Sequence, residues 1–195
     1  MSDAKTDREK TARLPDEDVV AILLNQHARI RELFADVKTA EGEHKKQAFD
    51  ELRALLAVHE TAEEMVVRPV ARDTAGKKEA AARNQEEAEA NKVLARLEKM
   101  DVESPEFDAQ LRAFQKAVED HAEHEEREEF PTLRAGRDEA QLKRMGTMVR
   151  AAERVAPTHP HPTAAGSPLA QWSVGPVASL VDRTKDAIRG ATAHP

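Results

Sequence analysis

Apolar positions recur at helical spacing along five stretches of the chain. Val20, Leu23, Leu24, Ile30 and Phe34 form one row, in a helix opened by Asp16 and closed before Gly42. A second helix runs from about 44 to 73 with Phe49, Leu52, Leu55, Leu56, Val66 and Val67 on one side, and Gly76 lies in the turn after it. The third, about 77–100, has a thinner stripe of Ala90, Leu94 and Leu97. Ser104-Pro105 reads as an N-cap and first helical residue. The fourth helix then carries Phe107, Leu111, Phe114 and Val118 to about 134, where Gly136 closes it. A fifth, about 138–154, carries Leu142, Met145, Val149 and Ala152.

Four helices of about 25 residues, each about 37 Å long and joined by short turns, predict an all-α fold, an up-down-up-down four-helix bundle over 15–136. The additional fifth helix, within 137–155, is expected to pack on its outside. Residues 1–14 are charged and aperiodic and read as a flexible arm. In 156–195, APTHPHPTAAGSP forms a Pro-rich linker, and PVASLVDRTKDAIRGA can make one short amphipathic helix, a possible contact for a protein partner.

Composition supports this picture and trims the functions open to it. Charged residues are 34% of the 195 and aromatic residues 3%, with no Tyr. The 37 acidic residues outnumber the 30 Lys and Arg for a net charge of −7, against the basic face of a nucleic-acid binder. No run is apolar enough to span a membrane, and MSDAKTDREK lacks a signal-peptide core, so the expected address is cytoplasmic. Without Cys there are no disulfides and no thiolate ligands, so a metal must be held by His and carboxylates.

The inward rows are interrupted by such groups. His27 lies in the row of helix one, His59 and Glu63 in that of helix two, His121 and Glu125 in that of helix four. Burying five ionisable groups among aliphatics costs on the order of several kcal/mol each unless they bind a metal or pair with one another. His-x3-Glu spans one helical turn, so both side chains can reach one point or two adjacent points. The device occurs twice, each time followed by a Pro at the same distance. HETAEEMVVRPVAR (59–72) and HAEHEEREEFPTLR (121–134) share five identities in fourteen, which favours His121-Glu125 over the out-of-register His124-Glu128. His44, His159, His161 and His194 read as solvated, His124 as exposed, and the run 125–129 as a solvated face apart from Glu125. The Glu-x-x-His of ferritin-like sites occurs only at Glu41-His44, in a turn, and the His-Glu-x-x-His of zincins does not occur.

With NQHARIRELF around His27, AVHETAEEMVVRPV around His59 and DHAEHEEREEFPTL around His121, the chain resembles the hemerythrin-like (HHE cation-binding) family over about 16–134. The resemblance implies a non-haem di-iron centre with ligands at His27, His59, Glu63, His121 and Glu125, where Glu63 and Glu125 bridge the irons. The chain departs from the family in its third helix, which has no His. Glu87 falls at that ligand position, with Glu86 and Glu89 beside it, and Glu60 is a further candidate. Imidazole and carboxylate ligands suit iron or manganese and leave zinc open. The implied function is to handle or sense a small oxidant (O₂, peroxide or nitric oxide) or iron, and a weak peroxide-consuming activity is one form of it. A different class also fits: a helical interaction protein whose metal is structural or absent.

Overall fold

The computed structural model of the chain describes residues 4–70, 77–156 and 158–159, with the side chains of 77–84, 87 and 155 outside that description. These residues fold as helices, with no strand among them. In chain order they are α1 (Ala4–Thr11), α2 (Val19–Thr39), α3 (Gly42–Ala62), α4 (Lys77–Leu97), α5 (Pro105–His124), α6 (Phe130–Ala135) and α7 (Glu139–Val155). A π turn at Glu63–Val67 extends α3, and another at Glu125–Glu129 joins α5 to α6. No helix among the described residues is long and apolar enough to cross a membrane.

The helix ends follow local chemistry. Asp18, not Asp16, caps α2, its carboxylate accepting from the Val20 N–H at 2.8 Å. Ser104 caps α5 through the Phe107 N–H at 3.1 Å, as expected of Ser-Pro. Asp138 and Gln141 form a reciprocal capping box on α7. Gly42 turns the chain between α2 and α3 with φ +58°, a conformation few other residues adopt. Gly146 lets α7 lie against the backbone near Glu17, because a Cβ there would collide with the Glu17 carbonyl.

Two apolar clusters build the interior. One gathers Val19 to Leu24 of α2, the first π turn, Phe130, Leu133 and the inner face of α7. The other gathers Ile30 to Val37 of α2 with Phe49, Leu52, Leu56, Leu94, Leu97, Phe107, Leu111 and Phe114. Between Leu24 and Ile30, and between Leu56 and Ala62, lies the level of His27 and His59. A polar layer therefore divides the core, and α7 packs across the first cluster.

Two expectations need correction. The N-terminal arm holds a helix, α1, and Asp7 is fully buried beneath it. Charge pairs make up for its missing apolar face: Asp7 bonds Arg31, Arg8 bonds Glu32 at 2.8 Å, and Lys10 bonds Glu126 at 2.6 Å. His159 is likewise buried, bonded to Arg53 at 2.7 Å and to Glu98, so it is no solvated tail residue. The end of helix two beyond 70, most of the Pro-rich linker and the short C-terminal helix lie outside the described residues.

Candidate metal centre

Each His-x3-Glu pair ends its α-helix on a π turn that begins at the carboxylate, Glu63 or Glu125. The Arg68 N–H reaches back to the Glu63 carbonyl, and the Phe130 N–H to the Glu125 carbonyl, each five residues away. Pro69 and Pro131 follow at once. A Pro lacks the N–H that an α-helix needs and crowds the carbonyl four residues earlier, and the wider turn accommodates both defects.

Side chains from α2, α3 and the two π turns converge between the apolar clusters. One ligand atom each from His27, His59, Glu63 and Glu125 lies within 4.8 Å of the others, and all four residues are buried. Donors about 2.1 Å from an ion stand at most about 4.2 Å apart, so this set closes on one cation with sub-ångström movement. His27 Nε2 and Glu125 Oε2 face each other at 3.4 Å, and neither has a hydrogen-bond partner. His121 adjoins the group from α5, its Nε2 3.1 Å from Glu125 Oε1.

All three imidazoles are held by the other ring nitrogen. Gln26 Nε2 donates to Glu153 of α7 at 2.6 Å, which turns the Gln26 carbonyl towards His59 Nδ1 at 2.7 Å. His59 therefore carries its proton on Nδ1, and its Nε2 lone pair faces Glu63, 3.7 Å away. His27 Nδ1 donates to Glu126 at 3.0 Å, and His121 Nδ1 to Glu86 at 3.1 Å. Such anchoring by a second ring nitrogen is the usual arrangement of metal-bound histidines.

Charge is distributed unevenly over the group. Burial, and then the charge of His27, push the His59 pKa down to about 3, so it is neutral and has no proton to lose before it can ligate. Burial also acts on His27, but the close approach and charge of Glu125, with the hydrogen bond and charge of Glu126, outweigh it and raise that pKa. For Glu125 burial favours the acid, yet the charge and hydrogen bond of His121, with His27 and Arg68, hold it well below the carboxylate range. Arg68 is buried and donates to Glu125 at 2.9 Å and to Glu129 at 3.0 Å, with Glu63 at 3.7 Å.

The other candidates fall as follows. Glu60 is buried and accepts from Asn91 at 2.6 Å. Glu87 lies on α4, but its side chain is outside the described residues. The acidic run was expected to face solvent beyond Glu125, but the side chain of Glu126 is only 5% exposed, drawn in by His27, Arg31 and Lys10. Gln26, Arg68 and Glu126 went unread as parts of the site. Gln26 had a visible signal, since it interrupts the apolar row Val19, Leu23, Ile30 and Leu33.

Comparison with known proteins agrees with this geometry. Residues 18–133 match the model of the hemerythrin HHE cation-binding domain. An uncharacterised hemerythrin-like protein of Schizosaccharomyces pombe is 27% identical over 134 residues, 67% of this chain. The matched region spans 66% of that relative's length. No solved structure matches the chain. The family model covers more than half of the chain and takes in every one of the converging His and Glu residues, so the chain belongs to the hemerythrin HHE cation-binding family.

Proposed function

We propose that the chain is a non-haem iron protein that holds two irons between His27, His59, Glu63, His121 and Glu125 and uses them to handle or sense a small oxidant. The observation that carries this reading is the buried convergence of His27, His59, Glu63 and Glu125 from three segments of the chain. Bound iron supplies redox chemistry and open coordination positions. The chain supplies the rest. Glu125 turns Oε2 towards His27 and Oε1 towards His121, the disposition of a carboxylate that serves two adjacent ions. His59 arrives neutral, and Gln26 holds its free nitrogen inward. Glu60 and Glu86 stand beside the centre, and Glu86 orients His121.

Three imidazoles among several carboxylates form a hard, anionic donor set, which favours oxidised iron. We therefore favour peroxide chemistry or sensing over reversible O₂ carriage, in the cytoplasm that the cysteine-free composition suits. Elemental analysis with an optical spectrum before and after peroxide is the test. About two irons per chain, with near-ultraviolet bands that respond to peroxide, is the expected result. No metal after anaerobic ferrous loading would overturn the reading, and a tight reversible O₂ complex would overturn the preference for peroxide.

A further inference from the structure

A cavity of about 1010 Å³ opens beside the centre, between α2, α3, α4 and α5. Its origin is legible in the thin apolar stripe of α4. Ala90, with the exposed Ala113 and Ala117 of α5, has too small a side chain to cover the space between the two helices, and a cleft stays open there. The cavity is far larger than the oxidant needs, since a water-sized molecule takes about 30 Å³. It matches the several hundred Å³ of a pocket for an organic molecule.

The lining is graded. His27, His59 and His121 form one end. Val93, Val118 and the three alanines give the body its accessible apolar surface, over a floor of Ile30, Phe34, Leu56 and Phe114 that are themselves buried, the Phe34 and Phe114 rings meeting edge to face at 6.0 Å. Arg96 and Gln110 stand at the other end. From Gln110 to His121 on α5, and from Gln85 to Arg96 on α4, the lining runs twelve residues, a rise of about 16 Å. Charge narrows the occupant. Five carboxylates line the cavity, Glu60, Glu86, Glu89, Glu119 and Asp120, against the guanidiniums of Arg31 and Arg96. Glu86, Glu89 and Asp120 are paired with His121, Lys92 and Lys116, yet the lining itself stays net negative, which disfavours an anion against a neutral molecule of the same shape.

We propose that this cavity binds a neutral organic molecule with an apolar body about ten carbons long and a single hydroxyl-type end, seated with that end against the histidines. The position of the polar end rests on the proposed metal function; binding of the apolar body rests on the cavity alone.

Calorimetric titration of the full chain with 1-decanol and with decanoate tests it. Decanol is expected to bind saturably at one per chain with a negative heat-capacity change, the mark of apolar burial. Decanoate, with the same tail, is expected to bind at least tenfold more weakly. Ala117→Trp and Ala113→Trp each fill the cavity and should weaken decanol at least tenfold, and either suffices if the other fails to fold. Arg112→Trp, at an exposed position of the same helix outside the lining, should leave binding unchanged. Elemental analysis of the same samples keeps the two proposals apart: Ala117→Trp should retain metal and lose decanol, and Glu63→Gln should do the reverse. Uptake of decanol without saturation, or equal binding by wild type and both alanine variants, overturns the site. Decanoate binding as tightly as decanol overturns the assigned ligand class.

Discussion

The two halves of the centre share a backbone device but solve their charge problem differently. His59 to Pro69 and His121 to Pro131 have the same spacing, the same π turn starting at the carboxylate and the same Pro after it. The residue just before that Pro is Arg68 in one half and Phe130 in the other. The π turn brings both inward, five residues beyond their carboxylates. Arg68 lands on Glu125 of the opposite half, whereas Phe130 stacks on His27 with ring centroids 5.7 Å apart. One half thus supplies a resident cation, and the other an apolar wall. Local sequence duplicates the turn; the electrostatics of the assembled site decide what stands beside it.

The sharpest way to break the likeness is to remove each carboxylate in turn. Glu125 contacts His27, His121 and Arg68, while Glu63 stands 3.7 Å from both His59 and Arg68. Glu125→Ala removes the buried carboxylate shared by His27, His121 and Arg68, so the metal-free protein should lose about 3–5 kcal/mol. Glu63→Ala should cost distinctly less, and both should abolish metal binding. Chemical denaturation of the metal-free proteins, with elemental analysis, checks this. Equal destabilisation would mean that the halves are equivalent in charge as well as in backbone.

Arg68 offers the next largest effect. Arg68→Met removes the cation that balances Glu125 and Glu129, so the metal-free protein should lose about 3 kcal/mol. Metal supplies positive charge at the same carboxylates and should return much of that loss, whereas the cost of Phe130→Leu, about 1 kcal/mol of packing, should not depend on metal. Melting with and without bound metal distinguishes the two. A loss for Arg68→Met that metal leaves untouched would make Arg68 a purely structural residue.

Much of this architecture was readable from periodicity, and what escaped it has definite causes. The bundle helices and the fifth helix carry apolar stripes, and Ser104 punctuates them with familiar chemistry, whereas Gly136 ends its helix at φ −91° without the left-handed turn of a glycine cap. Arg68 escaped because five residues at α-helical pitch place a side chain about 140° away from Glu63, and only the π turn brings it round. Glu126 escaped because nothing local marks one glutamate of an acidic run as the one that meets His27 and Arg31. The helix α1 is held by ion pairs to residues more than twenty positions away, which leave no periodic trace. The converging His and Glu residues were legible because they break apolar rows, and so, on the same ground, was Gln26.

Gln26 allows a finer test of how much each half depends on help from outside the repeat. It relays from Glu153 to His59, so α7, which lies outside the duplicated segments, fixes the tautomer of one imidazole. Gln26→Leu keeps much of the volume and removes the acceptor. Metal affinity should fall about tenfold, at the lower end of what lost anchoring of a ligand usually costs. Gln26→Glu combined with Glu153→Gln restores an acceptor without opposing two carboxylates and should recover most of it. Competition against a chelator gives both numbers, and an unchanged affinity for Gln26→Leu would mean that packing alone orients His59.

A third buried charge cluster, outside both halves, is the control for the comparison. Arg53 and His159 clasp Glu98 at the far end of α4. Burial opposes its ionisation, but the hydrogen bond and charge of His159, followed by Arg53, depress the Glu98 pKa to about 2. A depressed carboxylate adds stability that is complete above its unfolded value of 4.5 and disappears as pH falls from there towards 2. Wild type should therefore melt a few degrees above Glu98→Gln at neutral pH, and the difference should close within that acidic window. Because Glu98 is only half buried, solvent screening keeps the effect the smallest of the series. The metal content of Glu98→Gln should match wild type, since nothing in the clasp touches the centre. A gap that persists to pH 2 would assign the stabilisation to packing of His159 instead of its charge.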